Sequence, residues 1–244
     1  MTLGVPAPAD LSDHVRTLTP ERRERVAREW ARAAQYEHAS VASFARLSIQ
    51  LMAIGAPPEL LDAALCAARD EIHHARLSFA IASAYSGRSL GPGPLPITAD
   101  ALGPVDFVSV VRANVVDGCV GETVAAFEAE SQRDGVGHPA LARCLEVIAT
   151  DEAKHAELAY QIAGWALAER PAEASAAVRQ GFEAGLARYE LSDGLARTEL
   201  SEPWLAEHGL LDASKRRLVR VLAWRTGIYP AAQELSGMTT PVAR

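Results

Sequence analysis

The chain has few cysteines and few aromatic residues. Its three cysteines, Cys66, Cys119 and Cys144, lie far apart and form no Cys-x-x-Cys pair, so the sequence encodes no rubredoxin-like or zinc-ribbon module and fits a reducing compartment. Aromatic residues make up only 6% of the chain. Alanine and leucine are abundant instead, and this composition favours helices over β-sheet.

A basic surplus and long apolar runs are absent as well. The formal net charge of −7 argues against a general nucleic-acid binder, which normally carries a basic surface. No apolar run reaches the length of about 18 residues that a membrane span needs, so we predict no such span. The segment 1–13 has neither the basic start nor the apolar core of a signal peptide, and we expect a cytoplasmic protein.

Helical periodicity covers most of the chain, and proline and glycine mark where helices end. The segment 87–96 is rich in both residues, so it forms a long crossover between two antiparallel helix hairpins. The predicted fold is therefore all-α. We predict four long helices and then two shorter ones, over about 20–54, 58–86, 104–133, 138–169, 174–198 and 213–226.

These helices divide the chain into three parts. We expect a flexible leader over 1–18, a four-helix bundle over 19–170 and a helical extension over 171–244. The extension is short for an independent hydrophobic core, so we expect it to pack on the bundle.

One five-residue pattern occurs twice, as Asp70-Glu71-Ile72-His73-His74 and as Asp151-Glu152-Ala153-Lys154-His155. Each copy contains Glu-x-x-His, and two residues three positions apart lie on the same face of a helix, one turn along. The helix before each copy carries one more acidic residue among apolar neighbours, Glu37 or Glu122. Two carboxylates and an imidazole per half can hold a pair of metal ions inside a helical bundle.

The two single glutamates lie on stripes that we predict to face the core. On the first long helix, the stripe consists of Trp30, Glu37, Phe44 and Leu51. On the third, it consists of Val108, Val111, Val115, Gly118, Glu122, Ala125 and Ala129.

Buried carboxylates are stable only when they are neutralised or paired. Two divalent cations balance four glutamates, and neutral imidazoles complete the coordination. Oxygen-rich ligation with one imidazole per ion suits two iron ions, with manganese or a mixed manganese and iron pair as the alternative. The predicted ligands are Glu37, Glu71, His74, Glu122, Glu152 and His155.

The aspartate that precedes each Glu-x-x-His pair has two interpretations. Asp70 and Asp151 face the bundle and can orient a ligand histidine by accepting a hydrogen bond from its other ring nitrogen. Ordinary pairing at the surface, with a residue one turn along, is the alternative.

Small residues surround the predicted site on the third helix, Gly118 and Gly121 among them. They either leave room for a substrate or let two helices approach closely, and the sequence does not decide between the two.

In these motifs, over about residues 21–169, the chain resembles the ferritin-like di-iron carboxylate superfamily. Glu37 and Glu122 match the single-helix glutamates of that superfamily, and the two Glu-x-x-His pairs match its paired ligands. The resemblance implies a four-helix bundle that binds two irons and reacts them with O₂ or peroxide.

Several members of the superfamily are poor matches. Bacterioferritin has a haem-ligating Met where this chain has Ile72, rubrerythrin has a Cys-rich module that is absent here, and many members have a Tyr where this chain has Phe44. We therefore expect an O₂-activating oxygenase or hydroxylase with a small-molecule substrate and a separate electron donor. The alternative is a metal-handling or peroxide-detoxifying protein without an organic substrate.

Other partners receive less support. Because the superfamily includes tRNA hydroxylases that are similar to this chain, tRNA is an alternative partner. The net charge of −7 disfavours tRNA binding. A homodimer is an open alternative. The basic cluster near the C-terminus is interpreted as a solvated helix face and consists of Lys215, Arg216, Arg217, Arg220 and Arg225.

Overall fold

The computed structural model describes residues 11–98, 100–189 and 202–238. Within these ranges the chain consists of helices and connecting segments without a β-strand, which confirms the all-α prediction. None of the helices in the described part of the chain combines the length and the apolar character needed to cross a membrane.

The first hairpin consists of α2 (Pro20–Ala53) and α3 (Pro58–Ser86), close to the predicted bounds. The hydroxyl of Thr19 accepts a hydrogen bond from the backbone N–H of Arg22 at 3.4 Å and caps α2. Gly87 ends α3 in the left-handed conformation, with a φ of 68° that disfavours other residues. On α2, the predicted stripe residues Trp30, Phe44 and Leu51 are buried.

The second hairpin begins with α4 (Phe107–Asn114), which starts three residues later than predicted because Asp106 caps it. The Asp106 carboxylate accepts a hydrogen bond from the backbone N–H of Ser109 at 3.0 Å. A π-helical segment (Val115–Glu122) and α5 (Thr123–Gly135) continue the helix. The hairpin is completed by α6 (Pro139–Glu169).

The π-helical segment changes which residues of the second hairpin face the core. A π turn takes in an additional residue, so positions before and after it cannot share one α-helical stripe. Val108 was predicted to face inward but is 38% exposed, whereas Val110 and Val111 are fully buried. The stripe predicted for the third helix is therefore wrong at its first position.

The crossover between the hairpins is held by side chains of the first hairpin. The Gln50 amide donates hydrogen bonds to the carbonyls of Leu102 and Pro104, at 2.9 and 3.0 Å. Near the end of α3, the Ser83 hydroxyl accepts one from the backbone N–H of Leu90 at 2.9 Å. The hairpins then pack together through α3 and α6.

Helix α7 (Pro171–Arg188) packs across α4 and the π-helical segment. Two of its glycines allow this approach. A Cβ on Gly181 would lie 2.6 Å from the Cβ of Val115, and one on Gly185 would lie 2.7 Å from a methyl group of Val120. The extension thus covers the outer side of the second hairpin.

The rest of the tail differs from its prediction. Helix α7 starts three residues early and ends at Arg188; the remainder of the helix predicted over 174–198 lies mostly outside the described residues. After a 3₁₀ helix (Pro203–His208), the chain forms a continuous helical stretch that runs ten residues beyond the predicted end at 226. This stretch consists of α8 (Ala213–Ala223), a second π-helical segment (Trp224–Ile228) and α9 (Tyr229–Ser236).

A short helix precedes the first hairpin. The leader was predicted to be flexible over 1–18, whereas α1 (Ser12–Arg16) packs near α3, with Leu11 and Val15 buried in the core. Residues 1–10 of the predicted leader lie outside the described part of the chain.

Candidate metal centre

Six side chains from the two hairpins meet about midway along their helices. They form two overlapping groups, and within each group one potential ligand atom per residue lies within 4.8 Å of all the others. The first group is Glu37, Glu71, His74 and Glu152. The second is Glu71, Glu122, Glu152 and His155. All six residues predicted as metal ligands are thus brought together, and Glu71 and Glu152 belong to both groups.

The histidines point the same ring nitrogen at these carboxylates. Nδ1 of His74 lies 3.4 Å from Glu152, 3.7 Å from Glu71 and 3.9 Å from Glu37. Nδ1 of His155 lies 3.2 Å from Glu71 and 3.7 Å from Glu152. Each imidazole therefore faces both shared carboxylates, one from its own hairpin and one from the other.

Four of the six residues are almost completely removed from solvent. The exposed fractions of Glu71, His74, Glu152 and His155 are between 0 and 4%. Nevertheless, an oxygen of each of these two glutamates and Nδ1 of both histidines are buried without a hydrogen-bond partner. Unsatisfied carboxylate and imidazole atoms that face one another are what a metal ion would coordinate, so the donor set fits a metal site.

Without metal, the close carboxylates alter one another's proton affinity. Burial raises the pKa of Glu37 well above its usual range, and the neighbouring carboxylates raise it further. The pKa of Glu122 is raised well above its usual range for the same two reasons. Burial alone would lower the histidine pKa values, but the nearby carboxylates of Glu152 and Glu71 outweigh it and raise the pKa of His74 to about 11 and that of His155 to about 9. Protons thus supply the positive charge that cations would supply.

The two aspartates lie behind the histidines, each beside the histidine of the other repeat. Asp151 is 3.3 Å from Nε2 of His74, within hydrogen-bonding distance. Asp70 is 3.7 Å from Nε2 of His155, too long for a direct hydrogen bond. Lys154 donates a hydrogen bond to Asp151 at 2.8 Å. Burial raises the Asp151 pKa, but the hydrogen bonds from Lys154 and His74 outweigh it and lower the pKa.

The π-helical segment ends at Glu122 and crosses close to α6. A Cβ on Gly118 would lie only 2.5 Å from the Cβ of Ala159, and one on Gly121 would lie 2.7 Å from the hydroxyl of Tyr189. Close approach is therefore the role of both glycines. π-Helical turns are frequent at functional sites, and here the turn carries a residue of the second group.

A small cavity borders only the second group. Its walls include Glu122, His155, Phe44 and Asn114, and its volume is about 50 Å³. A single water needs roughly 10–15 Å³ on this measure and a benzene-binding cavity has about 150 Å³, so the space suits a molecule of a few heavy atoms.

A wider groove adjoins this cavity. The two spaces share Arg46, Gln50, Ala113 and Asp117, and the groove has a volume of about 420 Å³. A guanidinium nitrogen of Arg46 lies 3.6 Å from a carboxylate oxygen of Asp117, and the two side chains are 38% and 42% exposed. This pair therefore marks the passage between the surface groove and the cavity.

The remaining histidines do not join either group. His73 is next to His74 but belongs to neither ligand group. His14, His138 and His208 lie together elsewhere, with ring centroids of His14 4.6 Å from His208 and 5.2 Å from His138. The His208 ring is 3.0 Å from the hydroxyl of Tyr85.

The basic cluster of the tail is partly neutralised. Arg220 donates a hydrogen bond to Glu128 at 2.7 Å, and Arg216 lies 3.8 Å from the same carboxylate. Both arginines thus face α5 instead of presenting a uniformly basic surface.

Two residues of the site's surroundings were missed by the sequence interpretation. Asn114 lines the cavity and is 4% exposed; its signal was a polar residue among valines, two helical turns before Glu122. Tyr189 contacts the π-helical segment at Gly121 from the end of α7. No local pattern could reveal Tyr189, because its position depends on how α7 packs.

Comparison of the chain with protein-family models, with curated proteins and with solved structures gave no match.

Proposed function

We propose that the protein is a ferritin-like dinuclear iron oxidoreductase that consumes a small oxidant, O₂ or peroxide. The observation that carries the proposal is the pair of overlapping ligand groups, because two shared carboxylates and one imidazole per group are the donor set of dinuclear carboxylate centres. Two bound ferrous ions would supply the two electrons that reduce peroxide to water. Manganese, alone or with iron, is the alternative metal.

The ferritin-like architecture is part of this proposal. Two helix hairpins joined by a crossover over 87–106, with ligands midway along all four helices, agree with that arrangement. The extension from α7 onward lies outside the resemblance.

The protein's own residues would prepare the site in three ways. The glutamates provide negative charge in a buried setting, where it attracts cations strongly. Asp151 holds the His74 ring through Nε2, so that Nδ1 faces the carboxylates. The Phe44 ring, 4.9 Å from that of His155, forms an apolar wall that limits the entry of water.

The cavity size favours a reaction without an organic substrate at the metals. A space of about 50 Å³ accepts O₂, peroxide or water but not a ring. This is the peroxide-detoxifying or metal-handling alternative from the sequence.

Oxidation of an organic substrate is the second candidate, and the adjoining groove favours it. A volume of about 420 Å³ is typical of small-molecule sites. Three arginines, Arg46, Arg112 and Arg188, line the groove together with one carboxylate, Asp117, which pairs with Arg46 and Arg188. The positive charge in excess of Asp117 favours a substrate with a carboxylate or phosphate group.

Anaerobic loading with ferrous iron tests the main proposal. We expect about two irons per chain, coupled in Mössbauer spectra, and rapid oxidation on addition of peroxide or O₂. Glu152→Ala is the control and should lose both the iron and the reaction. Mononuclear iron, or iron that neither oxidant oxidises, would contradict the proposal.

The groove is tested separately with Arg112→Ala, because Arg112 lines the groove but not the cavity. If an organic anion is the substrate, this variant should lose turnover of small carboxylates and phosphates while it still consumes peroxide. If the variant turns over every such organic compound as fast as the wild type does, the oxidation of an organic anion bound in the groove is contradicted.

A further inference from the structure

Asn114 has an unusual combination of burial and missing hydrogen bonding. The residue is 4% exposed, and its amide nitrogen donates a hydrogen bond to the carbonyl of Ala159 at 2.9 Å. Its Oδ1, however, has no partner. Buried carboxamide oxygens are nearly always hydrogen-bonded, so this atom is prepared for a group that comes from outside the chain.

The orientation of the Asn114 amide is fixed by its surroundings. A carbonyl oxygen only accepts hydrogen bonds, so the NH₂ group must face Ala159 and Oδ1 must face away. Gly118 lies next to Oδ1, and a Cβ there would be 3.5 Å from it. Asn114 and Gly118 both line the small cavity beside the second ligand group.

The position of this acceptor relates it to one of the two ligand groups. Asn114, Gly118 and Glu122 follow one another along the helix at intervals of one turn, and all three line the cavity together with His155. No residue that is unique to the first group, neither Glu37 nor His74, lines it. A reactant in the cavity therefore meets the second group and lies beside Asn114, two helical turns before Glu122.

We propose that Asn114 is a specificity-determining residue, whose Oδ1 binds a small reactant that carries an O–H or N–H group. Hydrogen peroxide has this chemistry and fits a cavity of about 50 Å³. O₂ has no hydrogen to donate, so the same acceptor gives it no such contact. The inference rests on the proposed function in naming peroxide as the reactant; the hydrogen-bond acceptor itself does not depend on the metal.

The first experiment measures binding without any reaction. In ¹⁵N-labelled, metal-free protein, the side-chain amide signal of Asn114 is assigned by its loss in Asn114→Leu, which keeps the branching of the side chain without its polar atoms. We expect that signal to shift on titration with hydrogen peroxide or hydroxylamine, and not with azide, which lacks a donor at neutral pH. Equal shifts with all three compounds, or none, would overturn the proposal.

The second experiment measures kinetics on the iron-loaded protein. A hydrogen bond of ordinary strength predicts that Asn114→Leu raises the KM for peroxide by about 2–10-fold with little change in kcat. The rate of reaction with O₂ should change by less than about twofold. A fall in both reactions to the same extent would show a structural role only and contradict specificity.

Ser78→Ala is the matched control. Ser78 is also fully buried with an unpartnered side-chain oxygen, but it does not line the cavity. Its removal should leave the peroxide KM unchanged; a rise equal to that in Asn114→Leu would contradict a local role of Asn114. If wild-type protein with two irons reacts with neither oxidant, the proposed function fails, while the titration of the metal-free protein still decides the role of Asn114.

Discussion

The two hairpins contribute the same residue types to the site but hold them differently. The first supplies Glu37, Glu71 and His74 from two uninterrupted α-helices. The second supplies Glu122 from the last position of a π-helical segment. That segment lies between α6 and α7, and the glycine contacts on both sides are close. A repeated sequence motif therefore does not require a repeated backbone, and the second half of the site depends on packing that the first half does not need.

The largest expected effect concerns the carboxylates that both ligand groups share. Glu71→Ala or Glu152→Ala removes an oxygen donor from both groups, so we expect almost no retained metal by elemental analysis. Glu37→Ala and Glu122→Ala each affect one group and should leave about one ion per chain. Circular dichroism checks that each variant remains helical. Equal metal content in Glu71→Ala and Glu122→Ala would show that the hairpins do not share ligands as proposed.

A smaller effect is expected from the aspartates behind the histidines. Asp151→Asn and Asp70→Asn remove a charge while they preserve shape, and changes of this kind typically weaken metal affinity by about 10–100-fold. We expect Asp151→Asn to weaken metal binding more, because Asp151 lies 3.3 Å from His74, whereas Asp70 lies 3.7 Å from His155. Competition with a chelator measures both affinities. Wild-type affinity in the double variant would favour surface pairing instead.

The packing around the π-helical segment can be tested with two glycine variants whose expected effects on the free energy of unfolding have opposite signs. Gly185→Ala places a methyl group 2.7 Å from Val120, and overpacking of this kind costs about 1–3 kcal/mol. Gly164→Ala in α6 meets nothing within 4 Å and should stabilise its helix by about 0.5–1 kcal/mol.

Urea unfolding measures the free energy of unfolding of both variants. In addition, Gly185→Ala should weaken retention of the ion at the second group more than Gly164→Ala does, since α7 supports the segment that carries Glu122. Destabilisation without any change in metal retention would mean that α7 only covers the second hairpin.

The smallest effect is expected at Lys154, which occupies in the second repeat the position that His73 has in the first. Its side chain is 63% exposed and bonds to Asp151 at 2.8 Å. Exposed ion pairs contribute about 0–1 kcal/mol, so Lys154→Met should change the unfolding free energy by no more than that. A larger loss, seen by thermal or urea unfolding, would indicate that Lys154 supports the Asp151–His74 contact strongly.

Local patterns predicted much of the fold. The ends of α2 and α3 follow from Thr19, Gly55 and Gly87, because caps and glycine stops act within one turn. The start of α4 was placed too early, since the cap at Asp106 was not recognised. The exposed position of Val108 was missed because the added residue of a π turn leaves no mark in an apolar pattern.

The sequence by itself determined which six residues meet, because Glu-x-x-His spacing and helical stripes are local properties that direct side chains to one face. Only the tertiary structure decided how they meet. It brings Asp151 to His74 and Asp70 to His155 across the repeats, places Asn114 beside a cavity and packs α7 on the π-helical segment. The physical reason is that these contacts join residues from different helices, whose relative height and rotation are set by the packing of whole surfaces.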